Sequence, residues 1–171
     1  GWNRAKWVAP QNYWLSPVVG KIDDPANRSQ PELTIDFVKE GHLLVHGGPV
    51  SGKTTLIQTL LTSLILDHSP EDLHIYIIDY GVQALRVFEE FPHVGAVISG
   101  SETERVRRLF TFLKEQVDSR KKVLSGAAPS VEKLRQQNLE AALPDIFLVI
   151  DNFVAFMDGR QISPEFDILK I

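Results

Sequence analysis

Residues 47 to 54 read Gly47-Gly48-Pro49-Val50-Ser51-Gly52-Lys53-Thr54, the spacing G-x-x-x-x-G-K-[ST], set between the apolar run Leu43-Leu44-Val45 and a stretch of helical periodicity. The order strand, loop, helix is what this pattern demands, and it argues against an ordinary Gly-rich turn that merely caps a helix. Glycines let the backbone curl so that several N–H groups point at one anion, while the helix that follows offers its positive N-terminal end to the same charge. Lys53 then reaches the β- and γ-phosphates, and the Thr54 hydroxyl ligates Mg²⁺. The expected nucleotide-binding residues are Gly47, Gly48, Pro49, Val50, Ser51, Gly52, Lys53, Thr54 and Thr55, with ATP and Mg²⁺ as ligands. Lys53 is expected to face solvent until phosphate arrives, so that Lys53→Ala removes affinity and leaves the fold alone.

The rest of the chain bounds what surrounds that loop. Its 171 residues and 43% hydrophobic composition suit one domain with a proper core. Eighteen basic against 22 acidic residues give a formal charge of −4, so there is no general electrostatic reason to hold DNA or an anionic membrane. The absence of cysteine excludes disulfides and thiolate metal sites and fits a cytosolic face. Every apolar run falls far short of the ~20 residues a bilayer crossing needs, and no signal peptide is visible. The chain starts at Gly1-Trp2 and stops at Leu169-Lys170-Ile171 within an amphipathic stretch, which we read as a piece of something longer.

Along the chain, residues 1–30 hold Trp2, Trp7 and Trp14 with Pro10, Pro17 and Pro25, and are expected to form an irregular arm on a core spanning 31–171. Thr34 to Phe37 alternates like a strand, and Leu43 to His46 reads as a buried one. From Lys53 onward Leu56, Ile57, Leu60, Leu61, Leu64 and Ile65 recur at helical spacing, and Ser69-Pro70 ends that helix. Leu73 to Ile78 is β-branched and aromatic and delivers Asp79 at its C-terminal end. A short helix with Leu85, Val87, Phe88 and Phe91 precedes Pro92, and Val94 to Ile98 is a further strand. Ser101 and Glu104 form a capping-box pattern for a long helix with Val106, Leu109, Phe110 and Leu113 on one face. Arg105, Arg107, Arg108, Arg120, Lys121 and Lys122 read as its solvated side. Gly126 to Pro129 should break it, Val131 to Leu139 should be helical again, and Ile146 to Ile150 is a last apolar strand. Such alternation predicts an α/β fold, a mainly parallel sheet with helices on both faces and ligands bound beyond the strand C-termini.

The last strand ends in Asp151, the pattern of a Walker B strand, whose carboxylate would hold magnesium alongside Thr54. The next residue matters as much. Many ATPases of this kind put a glutamate there to orient and deprotonate the attacking water, whereas this chain has Asn152. An amide orients water but does not take its proton near neutral pH, so hydrolysis should be slow unless another carboxylate substitutes. Asp79 is a substitute by location, although an aspartate there is more often a structural cap or a contact to the neighbouring loop.

Several stretches together resemble the FtsK/SpoIIIE family of motor ATPases, and more closely the EccC/EssC ATPases of type VII secretion. They are Pro17 to Pro25 (PVVGKIDDP), Gly41 to Thr55, Ile78-Asp79-Tyr80-Gly81, Phe91-Pro92-His93-Val94-Gly95, Glu104 to Leu109 (ERVRRL) and Asp145 to Asn152. The resemblance covers about residues 17–158 and implies a RecA-like P-loop core, cut short at the C-terminal end of the sheet. It further implies one of several tandem ATPase domains at the cytoplasmic face of a membrane, in a membrane-anchored parent that exports WXG-type proteins. Partners would be neighbouring ATPase domains and those secreted substrates, with an arginine from a neighbour completing the site; Arg86, Arg105 and Arg108 are the candidates. In that branch the later domains often carry imperfect motifs, as Asn152 does here, which points to weak hydrolysis or regulation. A nucleotide-gated docking module and a DNA-translocating ATPase are the alternatives.

Overall fold

The computed structural model describes residues 15–127 and 143–160. The three tryptophans and the helix expected at Val131 to Leu139 lie outside the described residues, as does the amphipathic ending. The described residues up to Pro70, with Phe91–His93, make one compact unit, and Glu71–Glu90 with the described residues from Val94 onward make a second.

Among the described residues of the first unit, the segment expected as an irregular arm contains a short strand. β1 (Val18–Lys21) pairs antiparallel with β2 (Glu32–Thr34), and the long turn between them closes through Asp24, whose carboxylate accepts the Asn27 N–H and side-chain amide. The alternation seen at Thr34 to Phe37 is thus offset: Thr34 ends β2, and Phe37 starts the short helix α1 (Phe37–Glu40). Asp36 caps α1 by accepting the N–H groups of Val38 and Lys39. The buried strand expected at Leu43 to His46 is not formed. That segment has no ladder partner among the described residues, and Leu44 is 73% exposed. Apolar character alone does not make a strand when no neighbour completes its hydrogen bonds.

α2 (Lys53–Asp67) follows the phosphate loop and buries Leu60, Leu61, Leu64 and Ile65, the i, i+1, i+4, i+5 face its periodicity predicts. Each such burial is worth roughly 1.5–3 kcal/mol. Its outer side carries β1, through a hydrogen bond from the Val18 N–H to Ser63 Oγ (2.9 Å). Its C-terminus is pinned by two buried histidines. His68 Nδ1 donates to the Leu64 carbonyl and His93 Nε2 donates to the His68 carbonyl, each at 2.8 Å.

Among the described residues the second unit holds a three-stranded parallel sheet in the order β4-β3-β5, with β3 (Leu73–Asp79) between β4 (Val94–Ser99) and β5 (Asp145–Asp151). The expected short helix before β4 is a 3₁₀ turn over Arg86–Glu90; it buries Phe88, as the preceding Leu85 is buried, but leaves Val87 exposed. α3 (Thr103–Ala127) reaches into the start of the expected break at Gly126 and Ala127, and the rest of that break lies outside the described residues. Its start also differs: Glu102, not Glu104, reaches back, accepting the Ser99 N–H at 3.1 Å, because Glu104 is drawn off by Arg107 and Arg108. Arg120 does not belong to the solvated side. It is half-buried and donates to the Pro144 carbonyl at the entry to β5 (2.6 Å). A further helix, α4 (Phe153–Arg160), leaves β5 after one residue.

One face of the sheet, Tyr76, Ile78, Ala96, Ile98, Leu148 and Ile150, packs against Val106, Leu109 and Phe110 of α3 and Phe156 of α4. Phe156 gathers Phe110, Phe153 and Tyr80 with ring centroids 5.7–5.9 Å away, a cluster of the kind that adds about 0.5–1.5 kcal/mol per pair beyond its area. The opposite face, Ile75, Ile77, Val97 and Val149, is buried as well, as expected for a parallel sheet. Among the described residues no helix is long and apolar enough to cross a membrane.

Candidate nucleotide site

The phosphate loop is gathered within the first unit. Gly52 stands at the N-cap of α2 with φ 86°, a left-handed geometry that a glycine reaches without strain, and no side chain caps the helix there. The first turn of α2 has no acidic residue. The N–H groups at the positive helix end therefore meet no carboxylate from their own turn, which suits a polyphosphate. Two residues earlier Val50 is also left-handed (φ 59°) and fully exposed. A β-branched residue rarely adopts that geometry, so the loop stores strain there.

Lys53 is half-buried, contrary to the expectation that it faces solvent. Its ammonium curls back over the loop and donates to the carbonyls of Gly47 (2.9 Å) and Gly48 (2.6 Å), with Ser51 Oγ at 3.5 Å. The cause is proximity: Gly47 lies so near Ser51 that a Cβ on it would come 2.6 Å from Ser51 Oγ, and the Gly47 and Gly48 carbonyls together attract the cation. Lys53 thus braces the loop as well as presenting a charge inside it. Thr54 is half-buried and Thr55 exposed, at the start of α2.

Asp79, Asp151 and Asn152 come together in the second unit. The register pairs Asp79 with Asp151, so both carboxylates leave the C-terminal edge of the sheet side by side. Gly81 sits between them: a Cβ there would lie 3.3 Å from Asp79 Oδ1 and 3.4 Å from Asp151 Oδ2. Asp79 is 2% exposed, and its oxygens accept the Gly81 N–H (2.7 Å) and the Leu85 N–H (3.4 Å). That geometry folds the loop after β3 and leaves the carboxylate committed to main-chain donors. The strand end is tied on both sides, by the Gly100 N–H to the Asp79 carbonyl (2.8 Å) and the Tyr80 N–H to the Asp151 carbonyl (3.2 Å).

Asp151 is half-buried, and its Oδ1 accepts the Asn152 N–H at 2.9 Å. Asn152 is left-handed (φ 59°) and caps α4: its Oδ1 lies 3.5 Å from the Ala155 N–H and its carbonyl accepts the Phe156 N–H at 3.3 Å. Mg²⁺ at a nucleotide takes hard oxygens, one or two carboxylates or hydroxyls beside the phosphates. Asp151 and Thr54 are donors of that kind. Among the described residues no group of three acidic or histidine side chains could hold a metal unaided.

The three arginine candidates are exposed and paired on their own elements: Arg86 with Glu89 (3.3 Å), Arg105 with Glu102 (2.6 Å) and Arg108 with Glu104 (3.2 Å). Such surface pairs contribute little and yield readily. The partners hold the carboxyls of Glu102 and Glu104 below the usual glutamate range, chiefly through the hydrogen bonds from Arg105 and from Arg107, respectively. Sequence reasoning missed the placement of Gly81, although a glycine two residues past a strand-ending aspartate was the available signal. It also missed α4, announced by Asn152 ahead of Phe153, Phe156 and Met157.

The chain matches the FtsK/SpoIIIE family model over residues 5–161. It is 36% identical to the ESX-3 secretion system protein EccC3 of Mycobacterium tuberculosis over 94% of its length. It is 28% identical to the type VII secretion system protein EssC of Staphylococcus aureus over 82%. The chain spans only 12% and 10% of those proteins. Among solved structures it is similar to Thermomonospora curvata EccC (ATPases 2 and 3) in complex with a signal sequence peptide, with a TM-score of 0.78, 29% identity, and coverage of 91% of this chain and 30% of that one. EssC (ATPases 2 and 3) from Geobacillus thermodenitrificans gives 0.75 at 26% identity, covering 85% of this chain and 28% of that one. The phosphate loop, the parallel sheet ending in paired aspartates and these matches agree: the chain belongs to the FtsK/SpoIIIE family, among the relatives of the EccC/EssC ATPases.

Proposed function

We propose that this chain is an ATP-binding domain of a type VII secretion motor, built to hold Mg-ATP and to turn it over slowly. The observation that carries the reading is the phosphate loop, where the N-terminus of α2 has neither a side-chain cap nor an acidic residue and the Lys53 ammonium lies against the Gly47 and Gly48 carbonyls. Residues 47–55 hold the nucleotide, and the Thr54 hydroxyl and Asp151 carboxylate supply oxygens to magnesium, which when bound offsets phosphate charge. Slow turnover follows from the two places where a proton acceptor would stand. Asn152 is an amide engaged in capping, and both oxygens of Asp79 already accept main-chain N–H groups. The family likeness supports a place at the cytoplasmic face of a membrane within a larger anchored protein, with residues 31–171 as the P-loop domain and 1–30 leading into it.

A second reading, a nucleotide-gated docking module, is favoured by the signal sequence peptide in the Thermomonospora structure. It makes secreted WXG-type proteins and adjoining ATPase domains the partners. One preparation tests both: saturable Mg-ATP binding followed with phosphate release. Binding with release far below the typical enzymatic rate of about 10 s⁻¹ supports the proposal. Release at that rate overturns slow turnover, and absence of any release moves the assignment to docking.

A further inference from the structure

The stretch Ile78-Asp79-Tyr80-Gly81 ends in a glycine that its backbone does not call for. Gly81 has no positive φ, so an alanine can take its conformation, and it is exposed. What a side chain would meet there is carboxylate: the three nearest atoms to a Cβ at 81 are Asp79 Oδ1 (3.3 Å), Asp151 Oδ2 (3.4 Å) and Asp151 Cγ (4.0 Å). The missing methyl is therefore a solvent-facing gap between two acids.

The four oxygens of those acids are not equivalent. Asp79 Oδ1 and Oδ2 accept the N–H groups of Gly81 and Leu85, and Asp151 Oδ1 accepts that of Asn152. Asp151 Oδ2 remains, and among the described residues nothing donates to it. A half-buried carboxylate oxygen without a donor, beside a second and buried carboxylate, is a costly arrangement that a cation relieves.

We infer that position 81 is kept without a side chain so that Asp151 Oδ2 stays open to magnesium and its water. This rests on the reading that Asp151 holds the cation. Magnesium bound through one or two carboxylates keeps several of its waters, so room beside the ligating oxygen matters as much as the oxygen itself. A methyl at 81 would leave both carboxylates in place and take that room.

The test is calorimetric titration of the whole chain with a non-hydrolysable ATP analogue, in Mg²⁺ and in EDTA, reading the ratio of the two affinities and, beside it, the melting temperature. Gly81→Ala should lower the ratio about tenfold, the low end of what a change beside a metal ligand costs, with the affinity in EDTA kept. Its melting temperature should hold or rise, because the neighbours need give by only a few tenths of an ångström and alanine restricts the unfolded chain. Asp151→Asn should by itself remove the gain from Mg²⁺, and adding Gly81→Ala to it should change the ratio no further. An unchanged ratio in Gly81→Ala, whether from no loss or from equal loss in both buffers, overturns the inference. A lowered melting temperature or a failure to fold also overturns it, and makes Gly81 a structural residue of the loop. If Asp151→Asn keeps the full gain, or the unaltered chain shows none, the assignment of Asp151 to the cation fails and takes this inference with it. Absence of binding altogether refutes the phosphate-loop reading, and the inference falls with that reading.

Discussion

Replacing Asp79 by asparagine separates the two roles that its place at the end of β3 allows. The carboxylate is 2% exposed and accepts the Gly81 N–H at 2.7 Å and the Leu85 N–H at 3.4 Å. Asparagine keeps the shape but has one acceptor. If its oxygen stays on Gly81, its amide meets the Leu85 N–H, donor against donor. The bond to Gly81 falls from charge-assisted to neutral, a loss of about 1 kcal/mol. The stranded Leu85 N–H costs about 1–3 kcal/mol, towards the low end because the original bond is long. Relief of a buried charge works in the other direction. The balance is a destabilisation of about 2 kcal/mol, which lowers the melting temperature by roughly 4–8 °C for a chain of this size. Thermal unfolding followed by circular dichroism reads it, with phosphate release measured on the same protein. A brace gives the lower melting temperature, with residual release falling only as far as folding does. An unshifted melting temperature with release abolished would refute the reasoning and make Asp79 the proton acceptor.

Val50→Gly should stabilise the protein by about 0.5–1 kcal/mol in urea unfolding: a β-branched residue leaves the left-handed region, offset in part by glycine's freedom in the unfolded chain. Net destabilisation would show that the loop is not strained there. Glu102 and Glu104 sit below the ordinary 4.5 in the folded chain because arginines donate to them. Lowered folded values mean that this stability is complete above the unfolded value and is lost as pH falls through the folded one. Glu104→Gln should therefore flatten the acid limb of the stability profile below about pH 4.5. Because the pairs are exposed, the difference should shrink in high salt; a salt-independent difference would contradict a surface origin.

What the sequence made legible follows the strength of its local physics. β3, β4 and β5 are continuous apolar runs that parallel packing buries, and α2 and α3 carry full helical periodicity, so their places were readable to within a few residues. Leu43 to His46 misled because a strand is a relation between segments, and apolar residues do not disclose whether a partner exists. The β1–β2 hairpin was hidden for the complementary reason: two short, largely exposed strands joined by a long turn leave no alternation to detect. In the site, the spacing G-x-x-x-x-G-K-T announced the loop, but not that Lys53 would be drawn back onto the Gly47 and Gly48 carbonyls. The roles of Asp79 and Asn152 depend on where neighbouring N–H groups point, and only the folded backbone fixes that.

On the function proposed above, the loop around Lys53 binds a nucleoside triphosphate. Calorimetric titration of the chain and of Lys53→Ala with a non-hydrolysable ATP analogue and Mg²⁺ tests it most directly. Saturable one-to-one binding is expected, weakened by Lys53→Ala about 10–100-fold, the equivalent of a charge-assisted hydrogen bond worth about 1.5–3 kcal/mol. Lys53→Ala should also lower the melting temperature modestly, because the brace across Gly47 and Gly48 is lost with the ammonium. No saturable binding by the unaltered chain, or equal affinity in the two proteins, would contradict it.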